Sequence, residues 1–557
     1  MEIADILISQ GLLTEAQLAE ARAQHDESER FDRTLLRLGF VSESDLLNVF
    51  SEQFSIPVVD LSSEQIDSNL LKSMPARLIH KRRILPYRKV NNKLLVAIAD
   101  PFDMEGLDEL RAVTGLDVEP MLASEYEINL MIKRYLGIGS ATIDEMLAEQ
   151  EQGVQVIDSL DTEDKELIEQ AQEATVIKLV NEILREAIND RASDIHIEPF
   201  EGDLKIRYRI DGVLHKANVP PQIRKFQAAI ISRIKIMSSL NIAEKRLPQD
   251  GGFKIRHDGR EIDIRVSVIP SVYGEGVVLR ILDKSSLLLN LQDLGMDDET
   301  YARFESLITR PHGIILVTGP TGSGKTTTLY AALNSIVSDS IKVITVEDPV
   351  EYRLSGVNQI QVHPQIGLTF AAGLRSILRH DPDVIMIGEI RDLETAEAAI
   401  QASLTGHLVF STLHTNDACS AATRLIDMGV EPYLVASSVE GVMAQRLVRT
   451  ICENCKQEYI PNRDEFPSDF VLDDTKKLYR GIGCRECKHT GLRGRIGIFE
   501  LVTFSDKLRH KITQNASSSE LIKIARKEGM KTLREDGWNK VRSGMTTPEE
   551  VLRVTVV

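Results

Sequence analysis

The octapeptide Gly319-Pro320-Thr321-Gly322-Ser323-Gly324-Lys325-Thr326 follows the apolar run Ile314-Ile315-Leu316-Val317-Thr318 and precedes a helical stretch opening Thr327-Thr328-Leu329. This is G-x-x-x-x-G-K-[ST] in the strand-to-helix setting that its chemistry needs. The glycines let backbone N–H groups turn inward around phosphates, Lys325 brings a charge to the β and γ oxygens, and Thr326 offers a hydroxyl to Mg²⁺. The pattern implies an ATP or GTP site. Metal and water also need carboxylates. The stretch Asp383-Val384-Ile385-Met386-Ile387-Gly388-Glu389 is an apolar strand ending in Glu389, and Val343-Ile344-Thr345-Val346 ends in Glu347-Asp348-Pro349. Both strands deliver an acid to the C-terminal sheet edge, where α/β proteins bind ligands. A further strand, within Thr405–Asn416, is bracketed by His407 and His414, which are expected to sense the γ-phosphate.

Two C-x-x-C pairs, Cys452/Cys455 and Cys484/Cys487, stand 28 residues apart (456–483). Four thiolates on two tight knuckles satisfy a closed tetrahedral Zn²⁺ site, so the expectation is a structural staple without an open catalytic position. The fifth cysteine, Cys419, reads as an ordinary small buried residue. Asp194, His196 and Glu198 share one side of a strand and mimic a metal-ligand set. No cysteine or glycine-rich partner accompanies them, so they read as part of a sheet.

These residues need scaffolds, and the chain supplies them in order. Leu7-Ile8, Gly11, Leu13 and Leu18 recur 28 residues later as Leu35-Leu36, Gly39, Val41 and Leu46, with Thr14 and Ser42 as helix caps. Residues 1–56 therefore read as a helical tandem repeat, and 60–138 as an α+β unit containing the strand Lys93–Ala99. Residues 139–174 read as an acidic linker, because Asp144–Ala174 holds eleven Asp/Glu against one Lys. Over 175–285 a helix precedes period-2 strands, such as Leu204–Ile210 and Arg260–Val266, the mark of an antiparallel sheet with one wet face. Residues 290–557 carry the apolar strand, glycine turn and helix order of an α/β domain, with the cysteine insertion at about 450–492.

The 66 Lys+Arg against 84 Asp+Glu give a net charge of −18, which argues against a general nucleic-acid binder. The longest apolar runs, such as Gly313–Val317, fall far short of the 18–20 or so residues of a membrane helix. The acidic start Met1-Glu2-Ile3-Ala4-Asp5 lacks a basic n-region, so no signal peptide and a cytoplasmic location are expected.

The segments Gly319–Thr326, Ile344–Glu351, Asp381–Asp392 and Thr405–Asn416 together resemble the Walker A, Asp box, Walker B and His box of the secretion ATPase superfamily. Arg310-Pro311-His312-Gly313, Gln401–Gly406 and Ala444–Thr450 resemble the type II secretion assembly ATPases more than the type IV pilus assembly branch, which stays as the alternative. The resemblance implies a multidomain α/β chain. A RecA-like motor over 290–557 follows a PAS-like α+β domain over 175–285 and a helical and α+β N-terminal region. It also implies a homohexameric, Mg²⁺-dependent ATP hydrolase that powers pseudopilus assembly and protein export. Its implied partners are the cytoplasmic domain of a bitopic inner-membrane anchor and a polytopic platform protein, with peripheral attachment to the inner membrane through them. Glu347 would align the attacking water and Glu389 would serve Mg²⁺. Arginines of a neighbouring domain would complete the site: Arg207, Arg209, Arg265 and Arg280, or Arg375 and Arg379 before the Walker B strand, with Arg209 and Arg265 taken as the leading pair.

Some relatives carry a tandem N-terminal motif for cyclic di-GMP that opens Arg-Leu-Gly and closes on Gln. The second repeat matches in part, with Arg30, Leu35, Leu36, Gly39, Val41, Leu46 and Gln53, but has Phe31-Asp32 in place of Leu-Gly. The first has Glu2-Ile3-Ala4 and His25 at the corresponding places, and Glu for Arg turns attraction to phosphate into repulsion. Cyclic di-GMP binding and docking to a membrane-anchored partner are the two readings of this region.

Overall fold

Stop signals shape the N-terminal helices. The computed structural model describes the chain except residues 1–2, 26–28, 65, 73, 75, 144–145, 147–173, 284–289, 462–465, 471–476 and 556–557. It divides into two compact units, Met1–Ile281 and Leu282–Val557. In the first, α1 (Ile3–Ser9) and α2 (Glu15–Ala23) are matched by α3 (Phe31–Arg37) and α4 (Glu43–Phe54). Gly11 and Gly39 take φ of +71° and +70° after the first helix of each pair, and Thr14 and Ser42 cap the second with reciprocal capping boxes. After two short helices, α5 (Ser68–Lys72) and α6 (Ala76–Arg82), come β1 (Ile84–Val90), β2 (Lys93–Ile98), α7 (Met104–Thr114), β3 (Asp117–Leu122) and α8 (Glu125–Leu136). One hydrophobic core runs from Ile6 and Leu7 through Phe50 to Leu94, Val96 and Ile132. The repeat and the three-stranded unit therefore bury their apolar faces against each other.

Most of the acidic linker lies outside the described residues. At its edge, Ile143 and Met146 are buried in the next core and Thr142 Oγ1 bonds the Glu182 carboxylate, so that end packs. That core lies under an antiparallel sheet of β4 (Ala192–Phe200), β5 (Asp203–Ile210), β6 (Val213–Lys216), β7 (Gln249–His257), β8 (Arg260–Ser271) and β9 (Gly274–Asp283), in the order β6-β5-β4-β9-β8-β7. Ile262, Ile264, Val266 and Val268 alternate inward along β8, as the period-2 reading requires. Their face is covered by α9 (Ala174–Asn189) and α10 (Gln227–Met237).

The second unit is built on a seven-stranded sheet in the order β12-β11-β13-β14-β10-β15-β18, parallel except at β18. Its strands are β10 (Gly313–Thr318), β11 (Val343–Glu347), β12 (Val357–Gln361), β13 (Val384–Ile387), β14 (Leu408–Leu413), β15 (Val439–Ile451) and β18 (Leu492–Thr503). Ile314 and Leu316 enter one core and Ile315 and Val317 the other, so β10 is buried on both faces, as a parallel sheet between helix layers must be. Those layers are α11 (Asp298–Ile308), α12 (Lys325–Ile336), α13 (Phe370–Ile377), α14 (Leu393–Leu404), α15 (Ser420–Asp427) and α16 (Pro432–Ser438). The cysteine segment adds the hairpin β16 (Lys456–Tyr459) and β17 (Leu478–Gly481). Four helices close the chain: α17 (Asp506–Thr513), α18 (Ser518–Lys527), α19 (Leu533–Arg542) and α20 (Pro548–Val554). Among the described residues no helix is long and apolar enough to cross a membrane.

Candidate active site

The glycine-rich turn lies between the fully buried β10 and α12. Gly322 and Gly324 take φ of +78° and +89°, the left-handed region in which a Cβ is costly. At Gly319 (φ +150°) a Cβ would come within 2.6 Å of Gln445 O, and at Gly324 within 2.8 Å of Gln445 Nε2. The turn is thus moulded onto β15: the Gln445 backbone oxygen leaves no room for a Cβ at Gly319, and the left-handed φ favours glycine at Gly324. Lys325 Nζ donates to Gly319 O (2.8 Å) and Pro320 O (3.1 Å), so the loop's own carbonyls hold it over the turn. Burial lowers the Lys325 pKa, Arg446 lowers it further, and Glu389 opposes both. The buried Ser323 hydroxyl has no hydrogen-bond partner inside the loop. An orphaned hydroxyl, a half-buried ammonium on weak neutral acceptors and a cradle of glycines fit a polyphosphate.

The parallel register decides which side chains join this edge. Ile387 pairs with Ser411 on β14, so Glu389 and His414, each just past its strand, emerge together. His414 Nε2 lies 3.3 Å from Glu389 Oε2, Arg391 pairs with Glu389 Oε1, and the Thr412 hydroxyl donates to Gly388 O at 2.7 Å. Thr318, the last residue of β10, accepts from the Thr415 N–H at 2.8 Å and ties the segment after β14 to the start of the P-loop. His407 is a correction. Gly313 pairs with Leu408 and Thr318 with Leu413, which puts His407 at the opposite edge. At about 3.3 Å per residue that is about 20 Å from the P-loop. There His407 Nδ1 meets Ala402 O at 2.9 Å, a contact that fastens the α14–β14 turn.

Glu347 reaches the C-terminal edge on β11, but its carboxylate is enclosed. Tyr330 OH, on the P-loop helix, donates to Oε2, while the Thr345 hydroxyl (2.5 Å) and Gln359 Nε2 (3.1 Å) serve Oε1. At 3% exposure it is held away from solvent water in this conformation. Burial beside this carboxylate pushes the Tyr330 pKa well above its ordinary value, so the phenol stays a donor.

The expected arginines are placed as follows. Arg209 and Arg265 lie in the first unit, on β5 and β8. Arg209 Nε is 3.6 Å from Asp194 Oδ2, Arg280 Nε is 3.0 Å from Asp194 Oδ1, and Arg207 pairs with Glu198. The Asp194–His196–Glu198 face is thereby a cross-strand ion-pair face and not a ligand set. Arg375 pairs with Glu394 and Arg379 donates to Arg375 O. Arg30 pairs with Asp32 and with Asp100 at 2.7 Å and lies over the Phe102 ring, so its charge is already balanced.

The four cysteine sulfurs lie within 4.8 Å of one another, and the Cys452–Cys484 and Cys455–Cys487 pairs are both 3.7 Å apart. A ZnS₄ tetrahedron with bonds of about 2.3 Å has S···S edges of about 3.8 Å, whereas a disulfide needs about 2.05 Å. Burial raises the Cys487 thiol, but the N–H groups of Cys484 and Gly491 donate to its sulfur and bring it to about 7. The group fits a metal ion. Cys419 is buried and its thiol is pushed up by burial.

Sequence reasoning missed Tyr330, Gln359, Arg391 and the pair Gln445–Arg446. The last left a signal: two consecutive polar residues inside the apolar strand β15, both buried.

Residues 169–553 match the family model for type II/IV secretion system proteins, and residues 54–142 match the MshEN domain. The chain is 45% identical over 566 residues to the type II secretion system protein E of Xanthomonas campestris, covering 99% of this chain and 98% of that one. It is 43% identical over 559 residues to the type IV pilus assembly ATPase PilB of Myxococcus xanthus, again covering 99% and 98%. Among solved structures, the ATPase DotB of Yersinia pseudotuberculosis aligns over 69% of this chain and 94% of its own at 23% identity and TM-score 0.50, a likeness of fold.

Proposed function

The chain belongs to the type II/IV secretion system protein family, and from that premise we propose that it is the ATP hydrolase that drives pseudopilus assembly and protein export in a type II secretion system. The observation that carries the reading is the meeting of Lys325, Glu389 and His414 at one sheet edge. Bound Mg²⁺ would supply charge neutralisation for the phosphates, and Thr326 with Glu389 would hold it. Lys325 exchanges the carbonyls of Gly319 and Pro320 for phosphate oxygens, trading weak acceptors for charged ones. His414 reads the γ-phosphate through its contact with Glu389. Glu347 aligns water once Tyr330 and Gln359 release it, so a shift of the P-loop helix is coupled to the reaction. Arg209 and Arg265, on β5 and β8, complete the site of a neighbouring subunit in a homohexamer. Zn²⁺ on Cys452, Cys455, Cys484 and Cys487 staples the β16–β17 insertion and leaves no open coordination position.

The N-terminal region docks to the cytoplasmic domain of a bitopic inner-membrane anchor, which places the motor at the inner membrane beneath the platform protein. The two carboxylates on Arg30 support docking over a cyclic di-GMP site. The near-equal resemblance to PilB keeps type IV pilus extension as the second reading. Phosphate release by Lys325→Ala tests the site: hydrolysis is abolished, and turnover near wild type overturns the assignment. Deleting the gene separates the two systems, because loss of exported protein with pili intact supports secretion and the reverse result supports pilus assembly.

A further inference from the structure

Three cationic side chains are buried among the described residues: Lys235, Lys540 and Arg446. Lys235 has Glu275 at 2.5 Å and Lys540 has Asp536 at 2.7 Å. Each charge is balanced where it is buried, as the cost of desolvation demands. Arg446, 9% exposed, is different. Its donors go to neutral acceptors, Nη1 to Gln445 O (3.0 Å) and Nη2 to Asn416 O (3.0 Å) and Oδ1 (3.4 Å), and no described carboxylate stands within ion-pair distance. Glu500 and Asp417 act on it only from beyond ion-pair distance, and both hold other donors: Glu500 accepts from Ala418 N and Leu533 N, and Asp417 caps Ser420.

Its position gives the unbalanced charge a meaning. Nη1 would lie 3.1 Å from a Cβ on Gly319, so the guanidinium rests against the first residue of the P-loop, and Lys325 feels its charge. Its other end grips Asn416, two residues after His414, in the segment that Thr318 also ties to the P-loop. One side chain thus bridges the turn that cradles phosphates and the segment that carries the partner of Glu389.

We propose that Arg446 is a positioning residue for ATP turnover: it clamps the His414 segment to the P-loop, and nucleotide phosphate is the anion that balances it. The proposal rests on the P-loop reading above. In the nucleotide-free protein a buried cation with no carboxylate in ion-pair contact is a burden on stability, and the loaded site relieves it. Arg446→Gln therefore has two opposite effects that a merely structural tie would not produce.

The test uses the full chain and follows Trp538, the single tryptophan, which is buried in the same unit. Thermal midpoints are read without nucleotide, with MgADP and with a non-hydrolysable MgATP analogue. Arg446→Gln keeps or raises the nucleotide-free midpoint, loses most of the nucleotide-induced rise, and lowers kcat at least about tenfold at saturating ATP. Arg446→Lys, which keeps the charge, retains the nucleotide-induced rise. A lower nucleotide-free midpoint with a wild-type rise in Arg446→Gln overturns the proposal, as does equal loss of the rise in the Lys and Gln variants. If Arg446→Gln does not fold, the Lys variant decides alone: retention supports the proposal and loss overturns it. Lys325→Ala is measured alongside. Normal nucleotide response there would sink the P-loop reading itself, whereas its loss there with a normal response in both Arg446 variants sinks only the clamp.

Discussion

Glu500 on β18 is 4% exposed and accepts the N–H groups of Ala418 (2.8 Å) and Leu533 (3.3 Å). Burial pushes its pKa up from 4.5 to about 7, with the nearby charge of Asp417 acting in the same direction against the two N–H donors and the charge of Arg446. The native state therefore keeps a proton that the unfolded chain has already lost. The sign follows directly: the stabilising contribution is full below the unfolded value near 4.5 and is lost as pH rises to about 7. At about 1.36 kcal/mol per unit the full loss is about 3 kcal/mol, of which about 1–1.5 kcal/mol falls between pH 6 and 8.5. Glu500→Gln is neutral at every pH and keeps an acceptor for Ala418 N, so it lacks this component. Urea unfolding followed by Trp538 fluorescence reports on the second unit, and titrating groups that do not act on Glu500 cancel between wild type and variant. The wild type should lose about 1–1.5 kcal/mol relative to the variant between pH 6 and 8.5. A difference that stays constant over that interval, or moves in the opposite direction, refutes the reasoning.

Two further outcomes follow from the site. Tyr330→Phe removes a donor from the enclosed Glu347 carboxylate and should cost the second unit about 1–3 kcal/mol, read by the same fluorescence, with KM for ATP near wild type. Cys484→Ser should abolish stoichiometric zinc in elemental analysis of the purified chain and loosen the β16–β17 insertion to proteolysis. Full zinc occupancy in that variant would count against the four-sulfur site.

The parts of the site that depend on chain direction were legible, and the parts that depend on packing between distant segments were not. Gly319–Thr326 between an apolar run and a helix could adopt only one local structure, and the acids ending two apolar strands had to share an edge with it in a parallel sheet. The same logic, carried through, would have rejected His407. Six strand residues separate it from His414, so one of the pair had to lie at the far edge. The repeat period placed Gly11 and Gly39 at helix ends, but hydrophobic patterning could not tell that the repeat shares its core with the following sheet. Patterning identifies an apolar face and leaves its partner open.

Partner choice is also why the electrostatics stayed hidden. Arg209 and Arg280 have an acid two or three positions away in the sequence, Asp211 and Asp283, whereas Arg375 and Arg446 have none so close. In the folded chain the first three meet carboxylates, Arg209 and Arg280 through the same Asp194, while Arg446 meets only carbonyls. The difference arises because β15 brings Gln445 and Arg446 beneath the P-loop 120 or so residues away, a register set by the pairing of Val317 with Met443 and Thr318 with Ala444. A charged residue in a buried strand is costly unless something balances it, so its place beside a phosphate cradle argues for a ligand as the balancing partner. The enclosed Glu347 argues in the same direction. A site with one acid locked away and one cation unbalanced is arranged for a partner that would relieve both, and the P-loop helix that carries both Lys325 and Tyr330 joins those two changes mechanically.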